Sequence, residues 1–281
     1  MPMNMDNNDR PIGIFDSGVG GLSVLRAVQL QLPTEAIIYF GDQFHIPYGV
    51  RPREEIFKFS LAITNFLLNM DAKLIVVACN AASAVALKDL RKVFPKTPFV
   101  GMEPAVKPAA ETTQTRVVGV LATPATFQGG LYASVVERFA ENVTLLQDPC
   151  PGLVQEIERG GLKSQVARNI LESALFPMLA QGIDTVVLGC THYPFVIPLI
   201  QEIVGPDVRV IDPAPAVARQ VDRILDSHAL RSLRDSFPLP QLYTSGNLEQ
   251  FITLLPKLID QECIIHLAGW EDDKTIVLDS S

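Results

Sequence analysis

The chain has 281 residues, 48% hydrophobic and 19% charged, which is enough apolar material for one large α/β domain or two small ones. Its formal net charge is −8, and its 23 Lys and Arg residues form no basic cluster. Because phosphate binding needs concentrated Lys and Arg, we expect no nucleic acid and no anionic membrane as partner.

Cysteine usage and hydropathy indicate a cytoplasmic protein with free thiols. The four cysteines are too few for a disulfide framework. None forms the C-x-x-C pair that favours zinc or dithiol chemistry, so we expect no metal. The leader, residues 1–10, is polar and lacks the apolar core of a signal peptide. No apolar run approaches the length that spans a bilayer.

The first part of the chain alternates short apolar runs with amphipathic segments. Strands are predicted over residues 12–15, 36–40, 74–78 and 98–102, and helices over 22–30, 53–69 and 80–92. Glycines at positions 18, 20 and 21 permit a tight turn after the first strand. We expect backbone N–H groups of this turn to point at a ligand.

The alternation then starts again. Strands are predicted over residues 116–121, 143–146, 186–189 and 208–211, with a turn over 122–126 and helices over 127–140 and 163–181. The remainder has predicted helices over 214–229 and 247–259 and short strands at 242–243 and 264–265. This alternation predicts an α/β fold with parallel, doubly wound sheets.

One local pattern occurs twice. An apolar strand, a small residue and a cysteine precede a helical segment at Cys79 and again at Cys190. The sequence separation of Asp16 from Cys79 is also close to that of Thr123 from Cys190. These landmarks predict two homologous halves related by a pseudo-twofold axis.

The repeat defines two predicted domains. The first comprises residues 1–104 plus 216–281, with the last stretch packing back on it, and the second comprises residues 105–215. In α/β sheets, ligands bind outside the carboxyl ends of the strands, where the repeated landmarks lie. We therefore expect a cleft between the domains that receives one thiol from each side.

Two thiols that face one carbon from opposite sides fit racemisation. One thiolate removes the α-proton, and the opposite thiol returns a proton to the other face of the planar carbanion. The thiol pKa must then fall from about 8.5, and the helix predicted to begin at Asn80 supplies part of that shift for Cys79. His192 near Cys190, and Asp16 at the same edge as Cys79, are candidate partners.

The other notable residues have structural interpretations. Cys150 lies between prolines and Cys263 opens an apolar strand, so both are predicted to be packing residues. His45, His228 and His266 are predicted to be surface or satisfied core histidines. The glycine cluster lacks the third glycine of a dinucleotide fingerprint and the Gly-Lys-Ser/Thr of a P-loop.

Four motifs together closely resemble the bacterial glutamate racemases, within the cofactor-independent Asp/Glu racemase family. They are DSGVGGLSV at 16–24, PYG at 47–49, ACN at 78–80, and GCTH at 189–192 followed by Pro194. The resemblance runs from about Ile12 to Gly246. It implies interconversion of L- and D-glutamate to supply D-glutamate for peptidoglycan, without pyridoxal phosphate or a metal, in a homodimer.

The resemblance also implies residue roles. Cys79 and Cys190 match the acid–base pair, one for each enantiomer, while Asp16, His192 and Glu158 match residues that assist them. The substrate-binding positions implied are Asp16, Ser17, Pro47, Tyr48, Gly49, Cys79, Asn80, Ala81, Thr123, Thr126, Cys190, Thr191 and His192. The family usually has threonine where this chain has Ala81, so one substrate hydrogen bond is expected to be missing.

Two alternatives remain open from the residues alone. An aspartate or hydantoin-type racemase would use the same pair of thiols on a different substrate, although the motifs favour glutamate. A non-catalytic α/β binding or regulatory protein could retain the fold without the reaction.

Overall fold

The computed structural model describes residues 8–278, which form two sheets with helices on their faces. The strands are β1 (Ile12–Asp16), β2 (Ile37–Gly41), β3 (Leu74–Val77), β4 (Phe99–Gly101), β5 (Val117–Ala122), β6 (Thr144–Asp148), β7 (Thr185–Gly189), β8 (Arg209–Ile211), β9 (Gln241–Thr244), β10 (Ile264–Glu271) and β11 (Thr275–Leu278). The helices are α1 (Leu22–Gln31), α2 (Arg53–Asn69), α3 (Asn80–Val93), α4 (Val106–Thr112), α5 (Pro124–Phe127), α6 (Gly130–Phe139), α7 (Leu153–Glu158), α8 (Gln165–Leu179), α9 (Ile197–Val204), α10 (Ala214–Ser227) and α11 (Leu248–Leu258). Short 3₁₀ helices cover Tyr48–Val50 and Tyr193–Val196.

The two sheets repeat one connection order. The first runs β11-β10-β9-β2-β1-β3-β4, and its strands are parallel except for β11, which pairs antiparallel with β10. The second runs β6-β5-β7-β8 and is parallel throughout. The order β2-β1-β3-β4 in the first sheet is therefore the order of the whole second sheet. The predicted α/β class with parallel sheets is confirmed, and the sequence repeat corresponds to a repeat in topology.

The first sheet is covered on both faces, as a doubly wound sheet must be. Along β3, Leu74 and Val76 lie in the core that contains residues of α1, α10 and α11, whereas Ile75 and Val77 lie in the core that contains residues of α2 and α3. A strand buried on both faces needs a continuous apolar run rather than an alternating one. The run of residues 74–77 meets that need.

The carboxyl-terminal stretch returns to the first sheet, as expected from the sequence. Strand β9 pairs with β2, and α10 shares a core with α1. The exact domain limits, near residues 104 and 216, stay a prediction. Residues 1–7 of the leader lie outside the described residues, as do residues 279–281 of the first domain.

Several short elements differ from the prediction. The predicted turn at 122–126 contains α5, because Pro124 fits the first turn of a helix. The predicted helix over 127–140 begins only at Gly130, because Gly129 is extended. Helices α4 and α7 were not anticipated, nor was β11. The turn before β11 holds Asp272 and Asp273 at positive φ, which aspartate tolerates better than most residues.

All four cysteines are free in the structure. Within residues 8–278, no helix is long and apolar enough to cross a membrane.

Asp184, which is partly buried, ties the connection before β5 to the start of β7. The Asp184 side chain accepts hydrogen bonds from the hydroxyls of Thr113 at 2.7 Å and Thr185 at 3.0 Å. It also accepts the N–H groups of Gln114 at 2.6 Å and Thr115 at 3.0 Å. Burial opposes ionisation, but the hydrogen bonds outweigh it and lower the pKa of Asp184 to about 2.

This pKa predicts an acid-sensitive contribution to stability. Because the ordinary pKa is 3.8, the contribution is complete above about pH 5 and is lost as the pH falls towards 2. We expect Asp184→Asn to lower the free energy of unfolding by about 1–2 kcal/mol at pH 7, with the difference from wild type shrinking below pH 4. Urea unfolding at several pH values measures this, with exposed Asp207→Asn as the control. A difference independent of pH would contradict the assignment.

Candidate active site

The two candidate thiols occupy equivalent places in the two halves. Cys79 follows β3 and Cys190 follows β7, each the third strand of the repeated order, and each residue is 5% exposed. The edges that carry them meet, because the Thr191 hydroxyl donates to Asp16 Oδ1 at 3.2 Å. The Ser23 hydroxyl adds a bond of 3.1 Å to the carbonyl of Thr191. The predicted sheet-edge residues therefore come together from both halves.

The glycine-rich turn is the contact surface between these edges. A Cβ atom at Gly20 would lie 2.4 Å from Nδ1 of His192 and 2.6 Å from Oγ1 of Thr191. A Cβ at Gly18 would lie 2.1 Å from Oε1 of Glu158. The glycines thus serve close approach between the halves, and the Val19 N–H, expected to face a ligand, donates to Glu158 at 2.7 Å.

Cys79 is the N-cap residue of α3. Its sulfur accepts the Ala82 N–H at 3.5 Å, and its thiol lies 3.8 Å from the Ser17 hydroxyl. Burial raises the pKa of Cys79 well above its ordinary value, the negative charges of Asp16 and Cys190 raise it further, and the two hydrogen bonds only partly compensate. The start of the helix does lower the pKa of Cys79 through the Ala82 N–H, as expected, but burial and Asp16 outweigh this contribution, so the surroundings favour the neutral thiol.

Cys190 lies beside a histidine, whereas Cys79 is influenced by the carboxylate of Asp16. Its sulfur lies 3.8 Å from Nδ1 of His192, whose Nε2 lies 2.7 Å from Oε1 of Glu158. Burial disfavours the charged ring, but the hydrogen bonds to Cys190 and Glu158 prevail and raise the pKa of His192 well above its ordinary value. A protonated imidazole beside a sulfur stabilises a thiolate. The two thiols thus differ in electrostatic environment.

Asp16 is completely buried between the two sulfur sites. Burial raises its pKa, and the nearby charge of His192 together with the N–H groups of Gly21 and Gly18 partly offsets the rise. Its Oδ2 accepts the Gly18 N–H at 3.2 Å while Oδ1 accepts Thr191. Asp16 is therefore placed to influence both sulfurs, directly at Cys79 and through His192 at Cys190.

Glu158, at the end of α7, bridges the two halves. Besides His192, its Oε1 accepts the Val19 N–H, and its Oε2 accepts the side-chain amide of Gln43 at 2.8 Å. The location beside His192 is the one implied by the family resemblance. Gln43 also accepts the Thr244 hydroxyl at 2.7 Å. No motif pointed to Gln43, which lies in the loop after β2.

The loop after β2 brings the Pro-Tyr-Gly motif to the second half. A Cβ atom at Gly49 would lie 2.7 Å from Cβ of Thr123, whose hydroxyl bonds that of Thr126 at 3.1 Å. The buried Tyr48 hydroxyl donates to Asp42 at 2.6 Å. Burial raises the pKa of Tyr48, and the charge of Asp42 raises it further. Tyr48 lies in the same hydrophobic core as Cys79. Asp42 is a second site residue that sequence reasoning missed.

Asn80 and Ala81 form the start of α3 beside Cys79, and both are 4% exposed. Among the residues that the structure describes, no hydrogen-bond partner reaches Oδ1 or Nδ2 of Asn80. Buried amides normally have partners, so this pair of atoms is suited to a polar ligand. Ala81 offers only a methyl group there.

Both thiols are buried, and a groove adjoins the site. Across residues 8–278, no group of three or more His, Cys, Asp or Glu side chains could hold a metal ion. The adjoining groove, about 250 Å³, is lined by Gln43, Pro47 and Glu158 among others, but not by either thiol.

Known proteins resemble this chain over nearly its whole length. The sequence model of the family described as Asp/Glu/Hydantoin racemase matches residues 12–221. A glutamate racemase of Ectopseudomonas mendocina is 44% identical over 263 residues, which cover 94% of this chain and 100% of that protein.

Two solved structures are similar throughout. Glutamate racemase from Francisella tularensis, in complex with D-glutamate, has a TM-score of 0.81 and 30% identity, with 94% of this chain and 98% of that chain covered. Escherichia coli glutamate racemase, in complex with L-glutamate and the activator UDP-MurNAc-ala, has a TM-score of 0.80 and 32% identity, with coverage of 91% and 97%.

Proposed function

The chain belongs to the Asp/Glu/hydantoin racemase family, and from this premise we propose that it is a glutamate racemase, an isomerase that interconverts L- and D-glutamate through Cys79 and Cys190. The observation that carries the proposal is the placement of two buried thiols at equivalent strand ends of two sheets with the same order. The glutamate complexes of the relatives from Francisella tularensis and Escherichia coli favour glutamate as the substrate.

The placement of the two thiols gives each of them a role in one direction of the reaction. In one direction Cys190, whose sulfur lies 3.8 Å from Nδ1 of His192, acts as the thiolate and removes the α-proton, forming an S–H bond and leaving a planar carbanion. Cys79 starts as the thiol, donates its proton to the opposite face and becomes the thiolate. The substrate therefore loses one proton and gains one, and the other enantiomer reacts through the same steps in reverse.

The surrounding polar groups would hold the substrate's charges. The unpartnered amide of Asn80 and the N–H groups at the start of α3 suit a carboxylate. Asp16, His192 and Glu158 would assist proton transfer, with Glu158 acting through the orientation of His192. The other proposed substrate-binding residues are Ser17, Pro47, Tyr48, Gly49, Ala81, Thr123, Thr126 and Thr191.

Binding would require the two halves to part along the glycine-rich contact. The Thr191–Asp16 and Glu158–Val19 hydrogen bonds cross this contact, so they would break on opening and reform around the substrate. Closure would exclude water from the carbanion. We further propose, from the family, that the reaction needs no pyridoxal phosphate or metal. On the same ground, the protein would act in the cytoplasm as a homodimer and supply D-glutamate for peptidoglycan.

The proposal predicts exchange of the substrate's α-hydrogen with solvent. Incubating purified protein with L-glutamate in deuterated water, without added cofactor, should yield D-glutamate with deuterium at the α-carbon, as measured by NMR and circular dichroism. L-Aspartate in parallel tests the substrate, because an aspartate racemase would prefer it. Absence of exchange with either amino acid would favour a binding or regulatory protein, and a lysine-bound cofactor absorbance in active protein would refute the cofactor-free reaction.

A further inference from the structure

Asp42 is a fully buried carboxylate that holds three separate segments together. Its Oδ2 accepts the Tyr48 hydroxyl at 2.6 Å and lies 2.9 Å from Nδ1 of His45, both in the loop after β2. Its Oδ1 accepts the Ser245 hydroxyl at 2.8 Å, after β9, and the indole N–H of Trp270 at 2.7 Å, on β10. A buried carboxyl group needs hydrogen-bond donors, so the position of each donor depends on the others.

The hairpin of β10 and β11 contacts the same loop a second time. The His45 ring stacks on Phe59 with centroids 3.7 Å apart and meets the Trp270 ring edge-on at 4.8 Å. Nε2 of His45 lies 3.3 Å from Asp273 in the hairpin turn. Both contacts come from chain beyond residue 221, where the family sequence match ends. The hairpin therefore contacts the loop on two sides of one buried histidine.

The loop after β2, which Asp42 and the hairpin hold in place, extends to the proposed substrate site. Tyr48 is 1% exposed, and the next residue, Gly49, lies against Thr123 of the second half. A displacement of the Tyr48 ring would move the Gly49 backbone away from Thr123. The Trp270 indole thus connects to both walls of the site through one carboxylate and one tyrosine.

We propose that Trp270 is a positioning residue for substrate binding, which fixes the loop of residues 47–49 through Asp42 and Tyr48. The inference rests on the proposed function, since it concerns affinity for that substrate. Loss of the indole N–H leaves Asp42 with three donors, and its carboxylate then relaxes towards Ser245 or His45 and releases Tyr48. The indole N–H of Trp270 bonds Asp42 and not a thiol, so we expect the effect on KM rather than on proton transfer.

Intrinsic fluorescence tests the connection in the unaltered protein. Trp270 is the only tryptophan of the chain, so its emission reports on this one indole. We expect a saturable change in emission on titration with L-glutamate. Half of the change should occur at a glutamate concentration near the KM. Emission that stays constant through saturation would show that the indole is insensitive to the site and would overturn the proposal.

Matched variants separate positioning from packing. Trp270→Phe removes the N–H but keeps an aromatic ring, and we expect a 5- to 20-fold rise in KM for L-glutamate with kcat within about threefold of wild type. Tyr48→Phe should give a similar rise, and the double variant should not multiply the two effects, because both act through Asp42. The packing control is Ile276→Val on β11, which should leave KM unchanged.

The results that would overturn the role of Trp270 differ from those that would overturn the proposed racemase function. If wild type racemises glutamate but Trp270→Phe has an unchanged KM, the positioning role is wrong. The same holds if the Ile276→Val control raises KM equally, or if the two Phe variants combine multiplicatively. If wild type shows no exchange at all, the proposed function fails, and the positioning role in that reaction fails with it.

Discussion

Replacing Cys79 or Cys190 with alanine is expected to lower the rate of glutamate racemisation by roughly 10²- to 10⁴-fold, the usual contribution of a positioned acid or base. Each thiol is the only proposed proton carrier on its side of the substrate. Loss of one leaves the carbanion with a donor on a single face, so inversion stops in both directions. Polarimetric assays starting from L- and from D-glutamate measure the loss.

Isotope exchange gives the two variants different signatures. With one thiol remaining, a variant can still remove and return a proton on the face that this thiol meets. Any exchange that survives should therefore occur with retention of configuration and on one enantiomer only. The enantiomer should be the opposite one in Cys79→Ala and Cys190→Ala.

A third cysteine provides the control for thiol removal. Cys263 is partly buried near the start of β10, far along the chain from either motif, and Cys263→Ala should racemise glutamate at the wild-type rate. Near-normal racemisation by Cys79→Ala or Cys190→Ala would contradict the two-thiol mechanism. So would exchange of the same single enantiomer by both variants.

The repeat could be predicted from the sequence because it consists of local sequence patterns. An apolar run fixes a strand, and the residue after it must lie at the carboxyl edge, so Cys79 and Cys190 could be placed before the structure was known. The return of the last strands to the first sheet followed from the position of the repeat in the chain. These inferences need only the order of elements, not their packing.

The features of the site that could not be predicted depend on side chains that are distant in sequence. The pKa of Cys79 rises because burial and Asp16 act against the helix N-terminus, and neither can be weighed from a motif. The contact of the glycine turn with His192 and Glu158 cannot be predicted without knowing that the two edges meet. Asp42 and Trp270 are far apart in sequence, and no periodicity links them.

The amino edge of the first sheet contains a buried ion pair on which stability should depend strongly. Nζ of Lys73 lies 2.6 Å from Oε2 of Glu35, with side chains 0% and 1% exposed. Lys73 also donates to the carbonyl of Asn8, and Oε1 of Glu35 accepts the Ser232 N–H at 2.7 Å. Burial lowers the pKa of Lys73, and its bonds to Glu35 only partly offset this.

Breaking this pair is expected to cost about 3–5 kcal/mol of unfolding free energy, because the remaining charge is left buried without its partner. In Lys73→Met the side chain keeps a similar size, but the Glu35 carboxylate loses the ammonium group that pairs with it. Adding Glu35→Gln should recover part of the loss, since the amide oxygen can still accept the Ser232 N–H and no charge remains. Urea unfolding of the two single variants and the double variant measures the coupling.

The control is an ion pair of similar length in solvent. Nζ of Lys92 lies 2.7 Å from Asp89, with the Lys92 side chain 66% exposed, and Lys92→Met should change stability by less than about 1 kcal/mol. Because Lys73 and Glu35 precede β3 and β2, they lie at the edge opposite the thiols. Lys73→Met protein that is still folded should therefore racemise glutamate normally. Equal losses of stability in the Lys73 and Lys92 variants would mean that burial of the pair has no energetic consequence.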